Sequence, residues 1–206
     1  MNRYRPRRPA QLKPGQIDLI EGGVDIAYSS ELAHAGAQAV VPLPTAQAVP
    51  EEVIARVSLL IDEEGVDALA DFWAESPAET LPGILWRGFL LREWIRRDFS
   101  DAERRFAAAS AFFATADPQR ISLVPRPETV KAQWDEVFKG NFRGDFAEVL
   151  RISARFTDFT ATVAPVWITE DTHPLATEVT RRNMAMLRTA REFKAAGEML
   201  TAGNLE

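Results

Sequence analysis

The chain has 206 residues, 46% hydrophobic and 26% charged, with a formal net charge of -6 and no cysteine. That hydrophobic share supports one core of ordinary domain size and excludes a chain disordered throughout. The lack of cysteine excludes disulfides, thiolate nucleophiles and cysteine-ligated zinc or iron–sulfur centres, and it suits a reducing compartment.

Charge is spread unevenly. Arg3, Arg5, Arg7, Arg8 and Lys13 precede the first acid, Asp18, which leaves about -11 on the rest of the chain. A body this acidic is a poor polyanion binder, so nucleic acid is not an expected partner. The basic arm, broken by Pro6, Pro9 and Pro14, is the one place where phosphates could be met, and it supports a DNA-associated regulator only as an alternative. No apolar run follows Arg8, and no stretch of roughly eighteen uncharged apolar residues occurs, so the expectation is a cytoplasmic protein with no membrane contact.

Residues 1–49 are rich in Pro, Gly and Ala, and their apolar residues come in short runs without sustained helical period. They read as a partly extended, partly ordered arm, with one short helix over Ser29 to Gln38 capped by Ser29 or Ser30. From Pro50 the texture changes: Val53, Ile54, Val57, Leu60 and Ile61 recur at three and four, which predicts a helix with one buried face, closed by Gly65. Val66, Leu69, Phe72 and Trp73 continue on a second short helix. Thr80 caps the next, which runs to Asp98 with Pro82 in its first turn. Its apolar residues, Ile84 to Trp86, Phe89 to Leu91, Trp94 and Ile95, cover nearly the whole circumference, and a helix apolar all round must be enclosed by others.

Ser100 and Glu103 have the spacing of a capping box, which predicts a helix burying Phe106, Ala109 and Phe113 and ending by Asp117-Pro118. Residues 118–126 read as a short extended piece or a buried loop. Pro127 opens a helix through Trp134, Val137 and Phe138, closed by Gly140. Asp145 and Glu148 repeat the capping logic and begin a longer helix with Phe146, Val149, Ile152, Phe156, Phe159 and Val163 inside, ended by Pro165. The last helix runs from about Leu175 to Ala202, closed by Gly203. No internal repeat is present, and β-branched runs are too few for a sheet. The expected fold is all-α: an irregular multi-helix bundle over residues 50–206, behind the arm at 1–49.

Three patterns are candidates for function. On the last helix Val179, Met186, Phe193 and Leu200 are spaced by seven, with Asn183, Ala190 and Gly197 between them. A seam alternating bulky with small or polar residues lets a second helix approach closely, either within the chain or from a second copy in a homodimer. On the all-apolar helix, Trp86 and Trp94 stand beside Arg92, Arg96 and Arg97, a set able to stack on and pair with an anionic ligand. The same residues suit an ordinary core helix whose arginine stems lie on apolar surface and whose heads pair with Glu93 or Asp101. The two histidines each follow a glutamate by three, Glu31 to His34 and Glu170 to His173, the spacing by which four-helix di-metal proteins place ligands. His173 precedes Pro174, which disfavours helix there. No metal or other cofactor is expected. Phosphate-loop, dinucleotide, zincin and nucleophile-elbow motifs are all absent.

The stretch Leu81-Pro82-Gly83-Ile84-Leu85-Trp86-Arg87, followed by Leu90 to Asp98, resembles the hallmark of an uncharacterised family of helical proteins from high-GC bacteria. The likeness extends from about Gly65 through the last helix. It implies a cytoplasmic all-helical protein, with no activity and no site residues to carry over.

The leading expectation is therefore a non-enzymatic interaction or regulatory protein, binding a protein partner or a second copy of itself through the last helix. The alternative is a helical small-molecule (anion) binder or enzyme with its site near Trp86, Trp94 and Arg92.

Overall fold

Helix boundaries follow from local chemistry at nearly every end. The computed structural model describes residues 26–44, 50–162 and 176–205, and among them every regular element is a helix. In chain order these are α1 (Ile26–Val40), α2 (Glu51–Glu64), α3 (Asp67–Trp73), α4 (Leu81–Arg97), α5 (Phe99–Ala116), α6 (Pro118–Ser122), α7 (Pro127–Val137), α8 (Phe146–Ala161) and α9 (Ala176–Thr201). The all-α bundle expected from the periodicity is thus the architecture. No helix of the described residues is long and apolar enough to cross a membrane.

Helix α4 is the centre, as its all-round apolar surface requires. The Thr80 side chain accepts from the Gly83 amide at 3.2 Å, and Pro82 sits in the first turn, where its missing N–H costs nothing. Glycine at 83 and 88 is set by close approach. A Cβ on Gly83 would stand 1.7 Å from the Pro77 carbonyl oxygen, and one on Gly88 would stand 2.2 Å from the Trp134 ring. Gly88 thereby lets α7 press its indole onto the backbone of α4. Around that indole gather Phe138, Phe193 and Phe146, with ring centroids 5.3, 5.9 and 6.1 Å away, and Trp134 Nε1 donates to Ser153 Oγ at 2.9 Å. One aromatic node so joins α4, α7, α8 and α9, and truncating a ring of this kind costs about 3–5 kcal/mol.

Helix α1 enters the same core. It begins earlier than the short helix predicted over Ser29 to Gln38, and it buries Ala33, Ala37 and Val40. Its small-residue face carries little hydrophobic contrast in sequence, yet it admits Trp73, whose Nε1 donates to the Ala33 carbonyl at 3.2 Å. Beyond α7, Gly140 and Asn141 take positive φ of 83° and 46°, which turns the Asn141 and Phe142 amides onto the Ala39 and Val40 carbonyls at 3.0 and 2.8 Å. Those are carbonyls that the end of α1 would otherwise leave unpaired. Packed structure therefore reaches to the N-terminal side of residue 50.

Other expectations need adjustment. The α5 cap is Asp98, whose carboxylate accepts from the Asp101 amide at 3.3 Å; Ser100 lies inside the helix, so the Ser100–Glu103 box is not the cap. Asp98 serves because it stands directly off the end of α4 and immediately before Phe99, the first residue of the new helix. Residues 118–122 form the short helix α6, neither extended nor loop, capped by Asp117 on the Arg120 amide at 3.2 Å. Helix α2 buries no residue fully: Val57, Leu60 and Ile61 only rest on the core. The Asp145 cap on Glu148 forms as expected at 2.9 Å, and Gly65 closes α2 with its amide on the Ile61 carbonyl. Val163, Pro165 and the basic residues of the arm lie outside the described residues.

Candidate functional site

Helix α4 presents Arg87, Leu90, Leu91 and Trp94 at three- and four-residue spacing, and α9 presents Arg182, Ala185, Met186 and Thr189 at the same spacing. Where these two stripes face each other over Thr157 of α8 they enclose a cleft of about 390 Å³. It opens to solvent beside Leu90, whose side chain is 47% exposed. The volume lies within the ~300–1,000 Å³ of ordinary small-molecule pockets.

Two residues of this lining, Trp94 and Thr157, each carry a buried polar atom, Nε1 and Oγ1, that has no hydrogen-bond partner among the described residues. Their neighbours on the same elements are satisfied. Of the buried hydroxyls on α8, Ser153 donates to the Val149 carbonyl at 2.7 Å and Thr160 to the Phe156 carbonyl at 2.8 Å. The indoles of Trp73 and Trp134 each donate to a partner, at 3.2 and 2.9 Å. An unmade bond on a buried group costs about 1–3 kcal/mol, and two orphans on one cleft are an exception in folded proteins.

The rim is basic. The Arg182 guanidinium lies 5.4 Å from the Trp94 ring and pairs with Asp101 at 3.2 Å. Asp101 is shared with Arg105 at 3.2 Å and Arg104 at 3.5 Å. Arg105 is itself buried and donates to Asn183 Oδ1 at 2.8 Å; burial, reinforced by repulsion from Arg182, holds its pKa below the usual arginine value. On the other side Glu192 is shared by Arg87 at 2.5 Å and Arg188 at 3.6 Å. The Asp98 carboxylate adds one further negative charge near Arg105. Among the described residues arginines outnumber carboxylates around the cleft, and the lining contains no acid, lysine or histidine.

The residues named from the sequence are distributed as follows. Trp94 lines the cleft; Trp86 turns away and stacks on Phe89 at 5.6 Å. Arg92 faces α7, bonding Asp135 at 2.7 Å and Glu93 at 3.2 Å and lying 5.8 Å from the Phe138 ring. Arg96 and Arg97 close on Glu93 at 2.5 and 3.0 Å. Glu93 is only 6% exposed, and the hydrogen bond from Arg96, aided by the charges of Arg92 and Arg97, holds its carboxyl below the ordinary range. These three guanidiniums are thus engaged with one buried carboxylate.

On the seven-residue seam, Phe193 is 0% exposed and lies against Trp134. Leu200 rests on the same core and Met186 lines the cleft, so at these positions the stripe packs within the chain. The Val179 side chain lies outside the described residues. His34 Nδ1 bonds the Ser30 carbonyl oxygen at 2.9 Å, and no cluster of potential metal ligands occurs among the described residues; Glu170 and His173 lie outside them.

Sequence reading missed Thr157 and Arg182. The matching stripes at 87, 90, 91, 94 and 182, 185, 186, 189 were a usable signal, since each puts an arginine and a polar or aromatic tip on the apolar face of its helix. Which two stripes meet is not encoded in either.

A second concavity, about 810 Å³, runs between α8 and α9 with Ala154, Phe193 and Gly197 at its floor and Arg151, Arg155 and Lys194 along its sides. Comparison of the chain with known family models, with curated proteins and with solved structures finds no match.

Proposed function

We propose that this protein binds a small molecule in the cleft between α4, α8 and α9, with an apolar body against Leu90, Leu91 and Met186 and a hydrogen-bond acceptor at Trp94 and Thr157. The observation that carries the reading is the pair of orphaned buried groups on one cleft. An indole N–H can only donate, so whatever satisfies Trp94 must accept. Among the described residues the lining offers no carboxylate or imidazole to serve as a general base, which favours recognition over catalysis.

The test is a thermal-shift screen of apolar acids, ketones and amides against three proteins: wild type, Trp94→Phe and Thr157→Val. Thr157→Val keeps the shape of the side chain and deletes the donor, and Trp94→Phe deletes the donor while keeping an aromatic ring. A ligand of the native state raises the melting temperature. Ligands that shift the wild type and lose most of that shift in both variants support the reading. No shift with any compound, or shifts that both variants retain, overturns it.

A second reading is favoured by the groove between α8 and α9. Its apolar floor of small residues and Phe193 suits a helix from a second copy of the chain, making a self-associating interaction protein. A light-scattering mass of 23.0 kDa, that of one chain, across the accessible concentration range would remove this reading.

A further inference from the structure

The nature of the acceptor can be taken further on charge. Five arginines, Arg87, Arg104, Arg105, Arg182 and Arg188, share the two carboxylates of Asp101 and Glu192 around the cleft. Among the described residues these five cations meet three carboxylates, Asp98 included, and repulsion from Arg182 adds to burial in lowering the Arg105 pKa. An entering anion would relieve that repulsion; a neutral acceptor would not.

The position of Arg182 matters most. Its guanidinium spans the Trp94 ring and the Asp101 carboxylate, at 5.4 and 3.2 Å. A guanidinium carries five N–H donors in a planar fork, so it keeps donors free after binding one carboxylate oxygen. The cleft below is lined mainly by apolar side chains on both helices, Leu90 and Leu91 on α4 and Ala185 and Met186 on α9.

Building on the cleft-binding reading above, we propose that the ligand is a small apolar monocarboxylate: one carboxylate accepts from Trp94 Nε1 and Thr157 Oγ1, Arg182 balances its charge, and the apolar body lies between Leu91 and Met186. A carboxylate has lone pairs for all three donors at once, whereas a ketone oxygen has two. Bonds to a charged acceptor are roughly twice as strong as neutral ones, so the acid of a matched pair is the tighter ligand.

The experiment is calorimetric titration at pH 7 of the full chain with octanoate and octanamide, and with 4-phenylbutyrate and 4-phenylbutyramide. The members of each pair differ in charge and hardly in shape. Each acid is expected to bind about tenfold tighter than its amide or better. Arg182→Gln, at a side chain 43% exposed, should remove most of that preference by weakening the acids several-fold more than the amides. Its melting curve is recorded alongside to show that the fold is kept. Equal affinity of acid and amide, or a preference that survives Arg182→Gln, overturns the carboxylate assignment and leaves the cleft reading standing. Failure of all four compounds to bind overturns both.

Discussion

The backbone of α4 at Gly88 touches the indole of Trp134, so close that a Cβ there would lie 2.2 Å from the ring. Trp134 is fully buried and held on its far side by Phe138, Phe193 and the Ser153 hydroxyl, so it has nowhere to retreat. Gly88→Ala would gain about 1 kcal/mol in helix propensity. It must lose more than that to overpacking, because interiors are close-packed and deform together. We expect a net loss of about 2–4 kcal/mol in urea denaturation, and an unchanged or raised midpoint would show that α4 and α7 can separate at no cost.

The hydroxyls of α8 should respond with opposite signs. Thr157→Val removes an unpaired buried group while keeping the volume, so the unliganded protein should be unchanged or up to about 1 kcal/mol more stable. Ser153→Ala strands the Trp134 indole N–H and should cost about 1–3 kcal/mol. Thermal melts of the two variants beside wild type check both. A destabilised Thr157→Val would mean that its hydroxyl already has a partner in the native state.

Glu93 should make stability depend on acid. Its folded-state pKa lies below the ordinary glutamate value because Arg96, Arg92 and Arg97 favour the charged form, so its contribution is complete above the unfolded-state value. That contribution fades as pH falls through the depressed folded-state value. Asp135 acts in the same direction: burial opposes ionisation, but hydrogen bonds from Lys131 and Arg92 outweigh it. Glu93→Gln should therefore cost about 1–3 kcal/mol at pH 7, a range lowered for the partial exposure of its arginine partners. The gap between variant and wild type should narrow steadily below about pH 4. Urea titrations at pH 7, 5 and 3 measure it, and a gap independent of pH would mean that the charge of Glu93 is not what matters.

Phe193→Ala removes a ring that is 0% exposed and lies tilted against Trp134, and the loss should be about 3–5 kcal/mol. Phe193→Glu should not fold at all, since it would put a carboxylate in place of a fully buried ring packed on Trp134. A soluble, helical Phe193→Glu by circular dichroism would instead place this residue at a surface between copies.

How much of this was legible beforehand varies from residue to residue. The caps Thr80 and Asp145, the closing glycine at 65 and the buried face of α8 were all readable, because each depends on neighbours within one or two turns. The Asp98 cap was misplaced by two residues because Ser100 offered an equally plausible oxygen, and only the exit direction of α4 selects between them. Helix α1 was underrated because alanine faces such as Ala33 and Ala37 carry little hydrophobic signal until a large partner, Trp73, is seen to fill the space they leave.

The helical class and the inward faces were set by the chain alone, since a repeat of three to four residues is a property of consecutive positions. The site was not. Arg92, Arg96 and Arg97 look like anion ligands until Glu93 and Asp135 are found bound to them, and Thr157 looks like any core threonine until its oxygen is found without a partner. Whether a donor is satisfied depends on what stands opposite it in space, and that is decided only when helices far apart in sequence are brought together.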